Sequence, residues 1–325
     1  MLIAEINARV SSQTMLPPRV KSSFHNALAS GNMVSSVLRP LTFWVIGSMP
    51  EIAKHHGVRS DQVLDSLQHY RFGFVQAQRL IDASGSGKFS RMEGENLLLS
   101  LFEGVHDIGR MMVGSAATQD MYPENNEGNM LHPIVGAMML REACSSVTSG
   151  IPPMVSGLLK ALIATVERHT LSRGLPASAL ASFGVTQISP WYSSGSHLWL
   201  SKADMPQIYK KYAHLIAFAD LINNVSEKLS GTDNYCPMVK LEKMDTQQRI
   251  DYIIHGPGIG AFKVRKSGET VCIDVTRLWR DGKPLNPQNF NDCLALMRQQ
   301  AAKFLSAAEI SEGVAAFNIG VKEAF

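Results

Sequence analysis

Residues 104–110 place a histidine next to an aspartate, His106 and Asp107, behind an apolar stretch. Imidazole nitrogen binds transition-metal ions, and an adjacent carboxylate can bind or bridge such ions. Residues 96–102 have the apolar composition of a buried helix, which would carry the pair to an interior site. Because adjacent His-Asp pairs often arise by chance, the pair has to be judged together with the other candidate ligands in the chain.

The other candidate metal ligands are separated by tens of residues, so no local motif joins them. They can meet only if the helices that carry them form a bundle. Asp220 interrupts the apolar run at residues 215–222, where a charge needs a partner such as a metal ion or a cation, or else the group must titrate. The remaining candidates are histidines on or at the ends of predicted helices, namely His69, His132 and His169.

Each candidate also has a purely structural interpretation. A histidine at a helix end can serve as a cap or a dipole partner, and an arginine such as Arg110 in a last helical turn needs no ligand. The histidines that we assign to structural roles are His25, His197, His214 and His255.

Apolar periodicity predicts the helices that must position these residues. Pro133 suits the first turn of a helix, where its missing N–H costs nothing, so His132 is expected at or beside the N-cap. His106 and Asp107 are expected on one continuous helix, with Arg110 on the face of His106. The predicted helices cover residues 62–83, 92–112, 154–169 and 205–229, and residues 131–140 are predicted to open another.

Residues 1–60 predict an irregular helical leader that packs on the main domain. Its prolines, among them Pro40 and Pro50, are expected to break it into short pieces. Gly57 is expected to end the last of these pieces as a helix C-cap.

From about residue 231 the pattern changes to that of a small α+β appendage. Residues 258–265 and 270–275 predict two strands, and residues 266–269 a turn between them. A helix is predicted at residues 287–308.

The composition is that of a globular protein rather than a disordered one, with 45% hydrophobic and 18% charged residues among 325. The net charge of +3 allows a polyanion-binding surface without demanding one. The four cysteines form no Cys-x-x-Cys pair, which argues against a disulfide or zinc-ribbon framework and favours a reducing cytoplasm. Because no apolar run reaches the roughly 20 residues of a membrane span, no membrane partner is expected.

Taken together, residues 60–230 resemble the HD superfamily of metal-dependent phosphohydrolases. Order and spacing are similar to those of two-metal members, such as HD-GYP-like cyclic-dinucleotide phosphodiesterases and dinucleoside polyphosphate hydrolases. Gly174-Leu175-Pro176 replaces the Gly-Tyr-Pro of the cyclic-di-GMP branch. The matching positions are His69, His-Asp-Ile-Gly-Arg at 106–110, His-Pro-x-x-Gly-Ala at 132–137, Val-Glu-Arg-His at 166–169 and Ala-x-Ala-Asp at 217–220.

The resemblance implies an HD-domain helical bundle at residues 61–230. With the leader at 1–60 and the α+β appendage at 231–325, the expected fold is mainly α. The resemblance also implies two divalent ions, for which a mixed nitrogen and oxygen ligand set favours Mn, Fe or Ni over Mg. Arg110 would then clamp a substrate phosphate. By this resemblance His69, His106 and Asp220 hold the first ion, His132 and His169 hold the second, and Asp107 bridges them.

We therefore expect a cytoplasmic enzyme that hydrolyses a phosphate ester or diester, with a nucleotide as the expected substrate. The main alternative is an HD-type nuclease or relaxase-like protein that acts on DNA or RNA and uses the appendage to grip nucleic acid. A binding module without catalysis and a di-iron oxygenase on the same scaffold are further alternatives. Whether the chain forms a homo-oligomer is left open.

Overall fold

The computed structural model of the chain is mainly helical in the part that it describes, as the sequence predicts. In the strands, and at some helix positions, only the backbone is described. The described residues are 14–84, 93–113, 127–145, 147, 150–169, 216, 219–220, 238–255, 262–267, 270–277, 279–280, 283–284 and 316–323. The helices are α1 (Pro18–Ala29), α2 (Val34–His56), α3 (Ser60–Ser84), α4 (Glu93–His106), α5 (Arg110–Val113), α6 (Glu127–Ser145), α7 (Pro153–Arg168), α8 (Met238–Lys243) and α9 (Thr246–His255).

The N-terminal region forms longer helices than predicted. α2 runs for 23 residues and contains Pro40 and Pro50, so the expectation that these prolines break it is wrong. Each proline removes only one backbone donor, and the buried face of α2, which includes Val45 and Ile46, packs into the core. Gly57 ends this helix in the left-handed conformation with φ 73°, which confirms the predicted C-cap.

Close packing of α3 on α4 brings two candidate ligands together. A Cβ on Gly104 would come within 2.8 Å of the Tyr70 ring, so only glycine allows the observed approach. The Tyr70 hydroxyl donates a hydrogen bond to the Ser100 carbonyl across the same contact. As a result, the ring of His69 on α3 lies 5.6 Å from the ring of His106 on α4, measured between centroids.

The predicted helix through Asp107 is interrupted, which corrects the expectation of one continuous helix at residues 92–112. α4 ends at His106, residues 107–109 form a turn, and α5 follows. Gly109 explains the turn, because a Cβ there would lie 1.9 Å from the carbonyl oxygen of His132 and 2.7 Å from the nitrogen of Gly136. The turn therefore rests directly on the backbone of α6, and Asp107 projects from the turn rather than from a helix.

α6 begins at Glu127, so the prediction that Pro133 lies in the first helical turn and His132 near the N-cap is wrong. Both residues lie inside the helix, where Pro133 removes a single hydrogen-bond donor. α6 is held between the 107–109 turn and α7, since a Cβ on Gly136 would lie 2.9 Å from Val166. This packing outweighs the local preference of proline for a helix start.

One buried hydrophobic cluster contains residues from every helix from α1 through α7, and it also includes Ile250 and Ile253 of α9. The buried guanidinium of Arg71 on α3 donates a hydrogen bond to the Ile253 carbonyl. Among the described helices, none combines the length and the apolar character that crossing a bilayer requires. The candidate ligands thus lie in a core that several helices enclose.

The backbone of the C-terminal region forms β1 (Phe262–Ser267), β2 (Thr270–Arg277), β3 (Trp279–Arg280), β4 (Lys283–Pro284) and β5 (Ala316–Glu323). β1 pairs antiparallel with β2 from Phe262–Val275 to Ser267–Thr270, so the two predicted strands pair with each other, and residues 266 and 267, predicted as turn, belong to β1. β5, which the sequence analysis missed, pairs parallel with β2, and β3 pairs with β4. The helix predicted at residues 287–308 lies outside the described residues.

Candidate metal centre

All six predicted metal ligands meet in one buried cluster. They come from five separate helical segments, and residues as far as 151 positions apart in the chain make contact. Their exposed fractions lie between 0 and 7%. The ligands are His69 on α3, His106 at the end of α4, Asp107 in the following turn, His132 on α6, His169 directly after α7 and Asp220 at a helical position.

The Asp107 carboxylate lies in the middle of this cluster, and its two oxygens face different histidines. Oδ1 lies 2.9 Å from Nε2 of His132 and 3.9 Å from Nε2 of His169. Oδ2 lies 3.3 Å from Nε2 of His69 and 3.6 Å from Nε2 of His106. A carboxylate whose oxygens face two sets of histidines in this way can bridge two cations.

The ligand atoms form two overlapping groups, which share His106 and are each compact enough to surround a metal ion. In the first group, atoms of His69, His106 and Asp220 all lie within 4.8 Å of one another. The second group joins His106, Asp107 and His169 by the same criterion. Asp220 Oδ1 is 3.0 Å from His69 Nε2, and buried His and Asp side chains of this kind can hold a metal ion.

Backbone carbonyls orient two of the imidazole rings. Nδ1 of His106 contacts the Glu103 carbonyl oxygen, and Nδ1 of His169 lies 2.6 Å from the Val166 carbonyl oxygen. Since a carbonyl can only accept, each Nδ1 carries the proton and donates it, and each Nε2 keeps its lone pair. Nε2 of His169 lies 2.9 Å from Nε2 of His132. Nε2 of His106 has no hydrogen-bond partner among the described residues.

Burial and neighbouring charges set the protonation states that metal binding requires. Burial lowers the pKa of His106 and His132, and it holds the pKa of His169 well below its ordinary value. These imidazoles are therefore neutral at neutral pH, which is their metal-binding form. For Asp107, burial acts to raise the pKa, but Arg110 and the surrounding histidines outweigh it and hold the pKa well below its usual range.

Arg110 lies at the edge of the cluster, where its Nε is 2.7 Å from Oδ2 of Asp107. Its side chain is 11% exposed and therefore more accessible than that of Asp107, at 4%. A guanidinium in this position can approach a phosphate that enters beside Asp107. Arg110 starts α5 and reaches Asp107 from there, rather than sharing a helix face with His106 as predicted.

The sequence analysis missed one polar residue of the cluster, Glu103. It lies one helical turn before His106 and is fully buried, and burial raises the pKa of its carboxyl well above the ordinary value, with a further increase from Asp220. An acidic residue inside an otherwise apolar helix was the available signal, as it was for Asp220.

The donor set fits a transition-metal ion. A buried polar atom without a partner costs roughly 1–3 kcal/mol, and such atoms gather here: Nε2 of His106 and the carboxylate oxygens of Asp107, whose charged contacts lack hydrogen-bond alignment. A cation among these nitrogen and oxygen donors would satisfy them. By contrast, His255 is exposed at the end of α9, and His25 is half-buried on α1.

Comparisons with protein-family models, with curated proteins and with solved structures give no significant match to this chain. The resemblance to the HD superfamily therefore stays a prediction, and the geometry of the cluster is the independent observation that bears on function.

Proposed function

We propose that this chain is a metal-dependent phosphohydrolase of the HD type, which hydrolyses a phosphate ester or diester in a nucleotide. The convergence of the predicted ligands carries the proposal. Six side chains chosen from the sequence pattern alone lie in one buried cluster, although they come from five helical segments. Unrelated structural histidines and aspartates would be scattered over the molecule.

The proposal includes the domain organisation. The HD-domain helical bundle comprises residues 61–230, with the leader at 1–60 and the α+β appendage at 231–325. Support comes from α3, α4 and α6, which carry candidate ligands, from α7, which His169 directly follows, and from the helical position of Asp220. The hairpin of β1 and β2 supports the appendage.

Two divalent transition-metal ions, of the Mn, Fe or Ni type, suit this ligand set. His69, His106 and Asp220 would hold one ion, and His132 and His169 the other. Asp107 would bridge them, a role that the opposite orientation of its two oxygens supports.

When bound, such ions lower the pKa of a coordinated water and polarise a phosphoryl oxygen. The protein contributes neutral imidazoles, because burial keeps His106, His132 and His169 deprotonated. Asp107 supplies a permanent negative charge at the centre. Arg110 lies beside it with a partly accessible guanidinium, which binds and orients the substrate phosphate through paired donors.

The test is hydrolysis by protein that has been stripped with a chelator and reloaded separately with Mn²⁺, Fe²⁺ or Ni²⁺. Substrates are bis-p-nitrophenyl phosphate, a panel of nucleotides, and DNA and RNA oligonucleotides. We expect turnover that requires metal and that is abolished by Asp107→Asn. His255→Ala is the matched control, because this histidine lies outside the cluster, and it should retain turnover.

No turnover with any metal and substrate, or full turnover by Asp107→Asn, would contradict the proposal. Cleavage confined to the oligonucleotides would instead identify the alternative nuclease, with the same ligands and a different substrate.

A further inference from the structure

Glu103 is a buried acid beside a candidate ligand. Its side chain is 0% exposed, and neither carboxylate oxygen has a hydrogen-bond partner among the described residues. Oε2 lies 3.3 Å from Nδ1 of His106, the nitrogen that also contacts the backbone carbonyl of Glu103. Because an unpartnered buried carboxyl lowers stability, packing alone does not account for an acid at this position.

The facing helix leaves room for this carboxylate. A Cβ on Gly73 of α3 would lie 2.5 Å from Oε2 and 3.0 Å from Cδ of Glu103. Gly73 on α3 and Glu103 on α4 thus fit each other. A larger residue in place of the glycine and an apolar residue in place of the glutamate would bury more hydrocarbon here. The pair of residues favours the acid at a cost in stability, which is typical of functional positions.

We propose that Glu103 is a positioning residue, whose carboxylate accepts a hydrogen bond from Nδ1–H of His106 and so holds Nε2 of that ring toward the metal. Because the Glu103 carbonyl already accepts from this N–H, Oε2, 3.3 Å from Nδ1, would act as the second acceptor of a bifurcated hydrogen bond. The inference rests on the metal site of the proposed function, and it adds a residue outside the ligand set. Carboxylates in this position orient the ring and make its other nitrogen more basic.

Two substitutions separate the accepted hydrogen bond from the space that the side chain fills. Glu103→Gln keeps both the size and an acceptor oxygen, whereas Glu103→Leu fills a similar volume without an acceptor. The readouts are the dissociation constant for Co²⁺, from competition with a chelating dye, the visible spectrum of the bound Co²⁺, and the melting temperature of the stripped protein.

We expect Glu103→Gln to bind Co²⁺ within about 3-fold of the wild-type protein and Glu103→Leu to bind roughly 10- to 100-fold more weakly, with a changed Co²⁺ spectrum. The stripped Leu variant should melt at or above the wild-type temperature, because it lacks the unpartnered buried carboxyl. A residue with a merely structural role would lower the melting temperature and leave the Co²⁺ affinity unchanged.

Gly73→Ala provides a second arm that leaves Glu103 in the chain. Its methyl group would displace the carboxylate from His106, so we expect weaker Co²⁺ binding here as well. Unchanged affinity in Glu103→Leu or in Gly73→Ala would overturn the inference. Equal losses in the Gln and Leu variants would also overturn it, because charge rather than the accepted hydrogen bond would then explain the effect.

The outcome for the wild-type protein distinguishes the two proposals. A wild-type chain that does not bind Co²⁺ would overturn both of them. A chain that binds Co²⁺ but hydrolyses no phosphate ester would overturn the proposed function alone, and the variants would still decide the role of Glu103.

Discussion

Asp107→Asn changes the charge at the centre of the cluster without changing its size. The two carboxylate oxygens of Asp107 make close charged contacts on different sides, with Oδ1 2.9 Å from Nε2 of His132 and Oδ2 2.7 Å from Nε of Arg110. Asparagine keeps one acceptor oxygen and replaces the other with an NH₂ donor. One of the two contacts must therefore be made by the NH₂ donor, and the guanidinium, whose side chain is 11% exposed, loses this negative neighbour.

The size of the effect follows from burial. The side chains of Asp107 and Arg110 are 4% and 11% exposed, so water screens their ion pair only slightly. Removing one partner of a buried pair costs about 3–5 kcal/mol. The ion pair of Arg59 with Asp61 provides a matched control, because it has the same 2.7 Å separation but its Asp61 side chain is 49% exposed. Asp61→Asn should cost no more than about 1 kcal/mol.

The assay is urea unfolding of stripped protein at neutral pH, followed by circular dichroism. We expect Asp107→Asn to lower the free energy of unfolding by about 3–5 kcal/mol and Asp61→Asn to leave it nearly unchanged. Added metal should widen the gap, since ligand that binds the folded state adds RT ln(1 + [L]/Kd) to stability. If Asp107→Asn cost no more than Asp61→Asn, the proposed electrostatic centre would be refuted.

Three further perturbations address the packing, the protonation and the ligands of the cluster. Gly109→Ala places a Cβ 1.9 Å from the His132 carbonyl oxygen, so it should cost at least the roughly 1–3 kcal/mol of overpacking and weaken metal binding. The control, Gly57→Ala at φ 73°, should cost only about 1–2 kcal/mol. Wild-type metal binding by Gly109→Ala would contradict the close packing of Gly109 on α6. The stability of the stripped protein should fall as the pH drops from about 7 toward 5, because burial lowers the pKa of His106, His132 and His169 and the unfolded chain then binds more protons. The raised pKa of Glu103 opposes this trend with a single proton, so urea titrations that show rising stability on acidification would contradict the protonation states. Finally, His169→Ala should lower the metal content from two ions to one per chain by elemental analysis, and retention of both ions would exclude it as a ligand.

The candidate ligands could be predicted because their residue types are costly inside apolar helices. Asp220 lies within an apolar run, and His106 with Asp107 follows another, so the sequence alone indicates an interior partner for each. The direction in which each oxygen of Asp107 points could not be predicted. It depends on the backbone contact of Gly109 with α6, which joins segments more than 20 residues apart.

The wrong predictions share a physical cause. The predictions at Pro40, Pro50 and Pro133 rest on the one backbone hydrogen bond that each proline removes. Burial of a whole helix face against neighbouring helices stabilises the observed helices by more than that loss. Likewise, helical periodicity continues past His106, but the chain turns there because Gly109 allows close contact with α6. Local preference is decisive only where tertiary packing is neutral, as at Gly57.

Glu103 shows the same limit for the site. Its place in an apolar helix was a signal in the sequence, but the space that receives its side chain becomes evident only when Gly73 of the neighbouring helix is placed against it. Pairwise complementarity of this kind follows from the packing of α3 on α4, which the periodicity of either helix alone does not reveal.

The central claim is that Asp107 joins two cations in a cluster built from five helical segments. Elemental analysis tests it most directly, with wild-type protein and Asp107→Asn both purified without chelator and then incubated with Mn²⁺, Fe²⁺ or Ni²⁺. We expect two transition-metal ions per wild-type chain and the loss of both from the variant, because both ions share this carboxylate. A wild-type chain that retains no transition metal, or a variant that keeps both ions, would contradict the claim.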